Sequence, residues 1–255
     1  MENFQFLAKK SWYKQWWGII IIAVICFLAA FVIAVGLMSW HYQKLIKQGY
    51  GEDLKKSIYG ERQIDPKIAT AREELEKIDR PFLGNPEASL VIVEFVDFKC
   101  PVCKEQDPII RKIINKYGQQ TKLIIRNFPI ESAHPGASKL AEMAYCAHEQ
   151  GLYWPAHDYL FTNQEKLTQN LTAEDINSFV GDVGLDGKKF NICLVSDKTK
   201  TEIKRDNAVF YKYTISDTSK YTISGTPTFF INGNKLPGNV PLSTWEDIVS
   251  SALSS

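Results

Sequence analysis

The sequence predicts an α/β domain with a helical insertion, preceded by one N-terminal transmembrane helix. An apolar run without charge spans Gly18 to Ser39, and a β-branched and aromatic run leads directly into Cys100-Pro101-Val102-Cys103. A block of helical segments separates this motif from a final strand, turn, strand and helix. Strands and helices that alternate in this way indicate an α/β layout. The 255 residues suffice for an anchor and one domain with a sizeable core.

The composition excludes one class of partner. The formal net charge is +1, and basic residues are not clustered beyond the extreme N-terminus. Binding to nucleic acid needs a basic patch or stripe, so we expect no nucleic-acid partner.

The apolar run is interpreted as a membrane anchor over residues 18–39. At about 20 residues it is long enough to cross the hydrocarbon core as a helix. Tryptophans flank the run, as is typical of the headgroup region, and lysines precede it. The positive-inside rule then places residues 1–17 in the cytoplasm and the chain after residue 40 outside. The flanking residues are Trp16, Trp17, Trp40, Lys9, Lys10 and Lys14.

A cleaved signal peptide and a buried core helix are the other interpretations of this run. A signal peptide has a shorter apolar core and a small-residue cleavage site, and Met38 to Tyr42 make a poor site. A core helix of a soluble protein carries a polar face, which this run lacks. The anchor is the favoured interpretation.

Residues 40–79 are interpreted as a stalk or linker because they are rich in Lys, Glu and Gln. Within them, Pro66 to Asp79 has strong helix formers and a narrow apolar stripe that includes Leu75. This segment is either a docking helix or a solvated charged helix that holds the domain off the bilayer, and the solvated helix is favoured. Turn residues between Arg80 and Pro86 mark the entry to a domain at 80–255.

Local patterns predict the elements of this domain. Continuous β-branched and aromatic runs indicate buried strands, and apolar residues at helical spacing indicate helices. Asn232-Gly233 indicates a tight hairpin, and Ser243 with Glu246 three residues later resembles a capping box. The predicted strands are Leu90–Phe98, Lys122–Phe128, Thr228–Ile231 and Lys235–Leu236. The predicted helices follow Cys100 as far as Gly118, fill an insertion at about 132–222, and span Ser243–Leu253.

The Cys-Pro-Val-Cys motif lies where a strand meets a helix, which suits disulfide exchange. If Cys100 caps the helix, its sulfur faces free backbone N–H groups and the positive end of the helix dipole, which lower its pKa. Pro101 and Val102 begin the helix, where the missing N–H of proline has no partner to lose. Cys103 lies one turn on, within disulfide reach. We therefore predict Cys100 as the exposed nucleophile and Cys103 as the buried resolving thiol.

A zinc site and an inert structural bridge are the other interpretations of the motif. Zinc takes four ligands, usually from two close pairs, and Cys146 and Cys193 stand alone in the sequence. The strand-to-helix setting favours a redox pair over an inert bridge. We expect no metal and no cofactor.

The motif and a distant Thr-Pro pair together resemble a known family. The segments Val93–Cys103 (VEFVDFKCPVC) and Gly225–Phe229 (GTPTF) are similar to the DsbA-like branch of the thioredoxin superfamily. The nearest likeness is to membrane-tethered bacterial proteins of the BdbD kind. The similarity covers roughly Pro81 to Ser250 and includes the insertion, where Ala144–Phe161 is also typical. It implies a thioredoxin-like fold with a helical insertion.

The resemblance also implies roles for residues outside the motif. The Thr226–Pro227 bond is expected to be cis, in a loop that binds a substrate peptide with its cysteine near Cys100. An ordinary turn proline before a strand is the alternative. Glu94 matches a buried acid that relays the proton of Cys103 in the family. The alternative is an edge-strand glutamate that faces solvent.

The remaining cysteines and histidines have weaker signals. In an oxidising compartment two unpaired thiols are a liability, so we predict a structural disulfide between Cys146 and Cys193. Two buried free thiols are the alternative. Cys26 lies in the anchor as an ordinary apolar residue. The histidines that follow the second strand are not spaced as a metal site or triad; they are His134, His148 and His157.

These features predict a thiol:disulfide oxidoreductase outside the cytoplasm, with a single-pass anchor in the bacterial cytoplasmic membrane and the N-terminus inside. We expect it to introduce disulfides into cysteine-containing secreted or envelope proteins. The resemblance implies a membrane partner that reoxidises it, either DsbB-like and quinone-linked or vitamin-K-epoxide-reductase-like. Val102 stands where DsbA has a histidine, so a disulfide reductase or isomerase is an alternative. A non-catalytic peptide-binding chaperone module is the other.

Overall fold

The computed structural model describes residues 16–45, 66–77, 79–215 and 225–254. The chain divides into two units, Met1–Asp53 and Leu54–Ser255. Three parts of the sequence analysis fall outside the described residues. They are the lysines before the anchor, much of the predicted stalk and the end of the predicted insertion.

The first unit contains a long helix, α1 (Trp16–Leu45), of 30 residues. Its segment Ile20–Met38 is apolar and exposed along its length, and it is long enough to cross a membrane. The predicted N-terminal apolar helix is therefore confirmed, and α1 extends beyond the predicted anchor at both ends. Its exposed apolar surface is compatible with an anchor in a bilayer.

In the described part of the second unit, five strands form one mixed sheet. The strands are β1 (Phe82–Gly84), β2 (Leu90–Val96), β3 (Thr121–Asn127), β4 (Thr228–Ile231) and β5 (Asn234–Pro237). Their order is β1-β3-β2-β4-β5, with β2 and β3 parallel and the other neighbours antiparallel. The central strands β2 and β3 are buried throughout, as expected of strands covered on both faces. Asn232 and Gly233 form the predicted hairpin turn, with φ of 46° and 85°.

Helices cover both faces of this sheet. They are α2 (Pro66–Leu75), α3 (Pro101–Tyr117), α4 (Ala137–His148), α5 (Tyr153–Thr162), α6 (Ala173–Val183), α7 (Gly187–Leu194), α8 (Asp197–Ile215) and α9 (Leu242–Leu253). On one face, α9 packs against α3 and its Trp245 contacts Phe229, with ring centroids 4.9 Å apart. On the other face, Phe210 of α8 contacts Phe95 at 5.1 Å. Helices α4 to α8 lie between β3 and β4, so the predicted α/β fold with a helical insertion is confirmed.

Helix α2 packs against the domain, so the favoured interpretation of a solvated stalk helix is wrong. Ala71 and Leu75 are buried and belong to the same apolar cluster as Phe95. The guanidinium of Arg126 donates hydrogen bonds to the carbonyl oxygens of Glu74 (2.5 Å) and Leu75 (3.0 Å). These bonds satisfy carbonyls that have no partner within the last turn of a helix. The narrow apolar stripe is a docking face.

A buried ionic network compensates the charge of Arg126. Asp206 of α8 accepts hydrogen bonds from Arg126 Nε (3.0 Å), from Arg80 Nε (3.0 Å) and from the backbone N–H of Asn127 (3.1 Å). Arg80 also donates to Glu202 at 2.9 Å. Because an unpaired buried charge is costly, these paired charges hold α8 and α2 in place on the sheet.

The sequence patterns missed β1 and misplaced one helix cap. Residues Phe82–Gly84 pair with β3, with Phe82 opposite Ile124. Three residues between turn signals are too few to show a strand periodicity. Helix α9 begins at Leu242 with Pro241 in the cap position and no side-chain cap, so the predicted capping box at Ser243 is wrong.

Candidate active site

The Cys100–Cys103 motif lies at the junction of β2 and α3. Cys100 occupies the N-cap of α3 with an extended backbone (φ −77°, ψ 120°), and Pro101 follows in the first turn. The backbone N–H of Cys100 donates to the carbonyl of Asp97 at 3.0 Å, which closes the turn between strand and helix. Because an N-cap faces the unpaired N–H groups of the first turn, the Cys100 sulfur lies at the positive end of the helix.

The surroundings of Cys100 stabilise its thiolate. A hydrogen bond from the Cys103 thiol lowers the pKa of Cys100 most, burial opposes it, and the backbone N–H groups of Cys103 and Val102 lower it further. The result is a shift of the Cys100 pKa from 9.0 to about 5. Cys100 therefore ionises below neutral pH, and the thiolate is the nucleophilic form.

The surroundings of Cys103 favour its protonated thiol. Its side chain is 0% exposed, and burial raises the pKa of the Cys103 thiol well above its usual 9.0. Hydrogen bonding to Cys100 and the charge of that neighbour raise the pKa further. Both cysteines are free thiols in this structure. One sulfur is thus held as an anion beside a second that keeps its proton.

A loop from the C-terminal part of the chain lies against the cysteines. The Thr226–Pro227 peptide bond is cis and immediately precedes β4. The Cys100 sulfur lies 3.3 Å from the Thr226 carbonyl oxygen, across 126 residues of sequence. The hydroxyl of Thr228 donates to the Gly225 carbonyl at 2.6 Å and fixes the loop. The structure thus brings Thr226 and Cys100 together.

The helical insertion supports the turn before Cys100. The buried amide of Gln164 donates to the carbonyls of Phe98 (2.9 Å) and Cys100 (3.0 Å). The ammonium of Lys99 donates to the Leu167 carbonyl at 2.7 Å. Sequence reasoning missed Gln164, and no local pattern marks it, because its partners lie more than 60 residues away along the chain.

Asp97 and His134 form a second pair close to the motif. The Asp97 carboxylate is buried and accepts hydrogen bonds from the backbone N–H groups of Lys99 (2.8 Å) and Ile130 (2.9 Å). The Nδ1 atom of His134 lies 2.8 Å from the same carboxylate. Asp97 therefore ties the turn before Cys100 to the segment that follows β3.

Glu94 is buried in the middle of the sheet. It lies opposite Ile125 of β3 and Phe229 of β4, and it is 4% exposed. Burial raises the pKa of its carboxyl most, the charge of Asp107 raises it further and that of Arg111 lowers it, to give a pKa of about 8. The alternative of a solvent-facing edge-strand glutamate is excluded by this position. Glu94 shares the face of Phe229, which is the face that α9 and α3 cover.

Cys146 and Cys193 form a disulfide, with an S–S distance of 2.03 Å and 47 residues of separation. It joins α4 to α7. The Thr199 hydroxyl donates to the Cys193 carbonyl at 2.7 Å and lies 3.3 Å from its sulfur. Among the described residues, no cluster of three or more His, Cys, Asp or Glu side chains could hold a metal ion.

A sequence model of the family described as thioredoxin matches residues 76–251. The chain belongs to the thioredoxin family. The match takes in all five described strands, the Cys100–Cys103 motif and the Thr226–Pro227 loop. It begins at residue 76, so helix α2 lies just outside the matched residues.

Solved structures share this thioredoxin-family fold. Thiol-disulfide exchange protein α-DsbA2 of Wolbachia pipientis is 23% identical with a TM-score of 0.61, over 72% of this chain and 93% of that one. A thioredoxin-like oxidoreductase of Silicibacter pomeroyi is 25% identical with a TM-score of 0.59, over 72% and 98%. The catalytic domain of Proteus mirabilis ScsC is 24% identical with a TM-score of 0.59, over 74% and 98%. The resemblance to DsbA-like proteins is confirmed.

Curated relatives carry a similar domain within a longer chain. The Na(+)/H(+) antiporter NhaA 3 of Salinispora tropica is 30% identical over 178 residues, 69% of this chain and 25% of that protein. NhaA of Herminiimonas arsenicoxydans is 28% identical over 189 residues, 73% of this chain and 27% of that protein. The chain spans about a quarter of the length of these relatives.

Proposed function

We propose that this chain is a membrane-anchored protein-disulfide oxidoreductase that introduces disulfides into cysteine-containing proteins outside the cytoplasm. The observation that carries the proposal is that the pKa values of two neighbouring thiols shift in opposite directions. The pKa of Cys100 is lowered to about 5, and that of Cys103 is raised. The fold supports it, since structures of similar fold include a thiol-disulfide exchange protein and a thioredoxin-like oxidoreductase.

The proposed reaction starts from a Cys100–Cys103 disulfide. A substrate thiolate attacks Cys100 Sγ, the S–S bond breaks, and Cys103 leaves as a thiolate that takes up a proton. A second substrate thiolate attacks the substrate sulfur of the mixed disulfide. This forms the substrate disulfide and releases the Cys100 thiolate. Two electrons pass from two substrate thiols to the protein, which ends as a dithiol.

The low pKa of Cys100 favours this direction. Groups that stabilise the Cys100 thiolate stabilise the reduced protein, so its disulfide form becomes a stronger oxidant. A thiol with a pKa of about 5 is also a better leaving group than an ordinary cysteine. Both effects promote release of an oxidised substrate.

Glu94, Thr226 and Pro227 have the remaining proposed roles. The Thr226 carbonyl lies 3.3 Å from Cys100 Sγ, so an extended peptide bound along the Thr226–Pro227 loop presents its cysteine to the nucleophile. The buried Glu94 carboxyl, with a pKa of about 8, gives a proton to the departing Cys103 thiolate and takes it back in the reverse step.

The anchor sets the proposed location. Lysines precede the apolar segment of α1, which favours an N-terminus inside and a domain outside the bacterial cytoplasmic membrane. A protein that oxidises its substrates must pass two electrons on to another oxidant. We propose a membrane protein of the DsbB-like or vitamin-K-epoxide-reductase-like class for that step.

Val102 favours a second candidate function. This apolar side chain between the cysteines is 37% exposed and has no hydrogen-bond donor to offer the Cys100 thiolate. A weaker stabilisation of the thiolate makes the pair less oxidising, as in a disulfide reductase or isomerase.

An exchange assay on the full chain in detergent micelles tests the proposed function. The oxidised protein is mixed with a reduced peptide that has two cysteines, and the peptide disulfide is measured by mass spectrometry. We expect one peptide disulfide per wild-type molecule and none with Cys100→Ser. Peptide binding without oxidation in the wild type would contradict the proposal and indicate a chaperone module.

Equilibration of the same chain with glutathione separates the two directions. An oxidase is expected to have a potential above about −200 mV, nearer to DsbA at about −120 mV than to thioredoxin at about −270 mV. A potential close to the thioredoxin value would support the reductase.

A further inference from the structure

The turn that leads from β2 into Cys100 is closed by one residue, Asp97. Its carbonyl oxygen accepts a hydrogen bond from the backbone N–H of Cys100 at 3.0 Å. Its side-chain Oδ1 accepts one from the backbone N–H of Lys99 at 2.8 Å. The first bond closes a β-turn, and an aspartate that binds the N–H two residues ahead reinforces such a turn. Asp97 therefore holds two successive N–H groups at the entry to α3.

We propose that Asp97 is a positioning residue of the disulfide exchange reaction, and that His134 holds the Asp97 carboxylate in the orientation the reaction needs. Through the turn that it closes, Asp97 fixes the Cys100 sulfur relative to the first N–H groups of α3 and to Cys103. The inference rests on the proposed function, because the placement of these sulfurs affects a rate only if they exchange. Asp97 and His134 themselves form or break no covalent bond in the reaction.

The second oxygen of Asp97 is held from outside the motif. Its Oδ2 accepts a hydrogen bond from the backbone N–H of Ile130 at 2.9 Å and lies 2.8 Å from Nδ1 of His134. A carboxylate has acceptors only, so Nδ1 of His134 is the donor. The Asp97 side chain is 0% exposed, and a buried carboxylate is costly unless its oxygens are paired. With donors on both oxygens, the carboxylate is held in one orientation.

The segment that carries His134 is fixed by its own backbone. The N–H of His134 donates to the Ile130 carbonyl at 2.8 Å, and the His134 carbonyl accepts from Ala137, the first residue of α4, at 3.0 Å. Before this segment, the N–H of Phe128 donates to the Val96 carbonyl at 2.8 Å, which joins the ends of β2 and β3. The imidazole is thus presented to the turn from a fixed position.

Both thiols depend on this turn. The Cys103 thiol and the backbone N–H groups of the first helical turn act on Cys100 and lower its pKa. Burial raises the pKa of Cys103, and a hydrogen bond from the Asp97 backbone opposes that rise. Because hydrogen bonds and the geometry of attack both depend steeply on position, a looser turn weakens the Cys100 thiolate and slows attack by Cys103.

The test is Asp97→Asn in the full chain in detergent micelles. Asparagine keeps one acceptor oxygen, but its amide nitrogen is a donor and cannot accept the N–H of Ile130. The reduced protein is mixed with an excess of a disulfide-linked peptide dimer and quenched with acid at intervals. Cys100 displaces one peptide thiol, and Cys103 then attacks Cys100 Sγ and displaces the second. Mass spectrometry follows the reduced, mixed-disulfide and oxidised forms of the protein.

Two changes are expected in Asp97→Asn. The attack by Cys103 should slow by about tenfold to a hundredfold, the effect of a misplacement of up to about 1 Å, so that the mixed disulfide accumulates. The midpoint of thiolate absorbance for Cys100 should rise from about 5 by roughly one pH unit, which corresponds to a tenfold loss of thiolate stabilisation. A residue that only stabilises the fold would lower the unfolding temperature and change neither quantity.

Three further variants separate the contact from general damage to the segment. His134→Leu removes the donor and should reproduce part of both changes. His134→Asn offers an amide N–H in place of Nδ1 and should restore most of the rate. Glu131→Gln is the matched control, because the exposed Glu131 carboxylate accepts hydrogen bonds from the backbone of Gly136 (2.7 Å) and Ser138 (2.9 Å) in the same segment. It should leave rate and midpoint unchanged.

The outcomes separate the inference from the proposed function. A wild-type rate and midpoint in a folded Asp97→Asn would overturn the role of Asp97 and leave the exchange reaction intact. If thermal unfolding shows that Asp97→Asn does not fold, equal rates in His134→Leu and the wild type would overturn the inference. Equal slowing by Glu131→Gln would also overturn it, since any damage to the segment would then suffice. Failure of the wild type to reach the oxidised form would overturn the proposed function itself.

Discussion

The domain holds two cysteine pairs that the backbone places very differently. Cys100 and Cys103 lie at the start of α3 and are free thiols. Cys146 and Cys193 join α4 to α7 across 47 residues and form a disulfide. Cys146 lies inside α4, where the backbone N–H groups are used by the helix, and Cys193 lies near the negative end of α7. Neither position stabilises a thiolate, so helix position decides which pair reacts.

The largest effect should come from the reactive pair. Cys100→Ser removes the disulfide that the protein passes to the peptide, so peptide oxidation should fall to the background rate, a loss on the order of a thousandfold or more. When Cys103→Ser is given a disulfide-linked peptide dimer, the Cys100 thiolate should displace one peptide as a thiol and keep the other in a mixed disulfide, which intact-mass spectrometry detects. Peptide oxidation at the wild-type rate by Cys100→Ser would show that the Cys100–Cys103 pair is not the reactive one.

The second pair should matter for stability and not for exchange. Replacing both Cys146 and Cys193 by serine is expected to lower the free energy of unfolding by about 4 kcal/mol, from the entropy of a 47-residue loop. Urea unfolding followed by fluorescence measures this loss, and the peptide assay should show unchanged oxidation. Normal stability with lost oxidation would show that the second pair is itself redox-active.

The stability of the reduced protein should depend on pH through Cys100. Its pKa is 9.0 when unfolded and about 5 when folded, so the folded state favours the thiolate. The stabilisation is complete above about pH 9 and is lost as pH falls toward about 5. Unfolding of the reduced wild type, compared with Cys100→Ser at each pH, isolates this contribution. A difference that does not grow between pH 5 and 9 would contradict the lowered pKa.

The smallest effect should come from removing the hydrogen bonds that Gln164 donates to the turn before Cys100. Gln164→Ala leaves the carbonyls of Phe98 and Cys100 without their donor, at a cost of about 1–3 kcal/mol in stability. We also expect a severalfold slower oxidation, because the turn before Cys100 loosens. Glu165→Ala is the matched control, since Glu165 is 90% exposed beside it. Equal effects of the two substitutions would show that Gln164 gives no specific support.

Local signals were enough to predict most of the fold and the centre of the site. An uncharged apolar run marks α1, β-branched runs mark β2 and β3, and the Asn232-Gly233 pair marks the hairpin. The motif at a strand-to-helix junction indicates the redox pair without any knowledge of its surroundings. Each of these signals is contained within a few neighbouring residues.

Contacts between distant residues could not be predicted in this way. Docking of α2 depends on Arg126, which lies about 50 residues beyond the carbonyls that it binds. Gln164 reaches the site from the insertion, and a single glutamine has no local signature. The interpretation of α2 as a solvated helix was wrong for the same reason. The sequence shows the charged composition of α2, but it does not show the apolar cluster and the arginine that α2 contacts.

Titration of thiolate absorbance at 240 nm in the reduced full chain tests the central claim most directly. The account predicts one ionisation with a midpoint of about 5 that disappears in Cys100→Ser, and no second step from Cys103 below pH 9. A first midpoint close to 9, the value of an ordinary cysteine thiol, would contradict it.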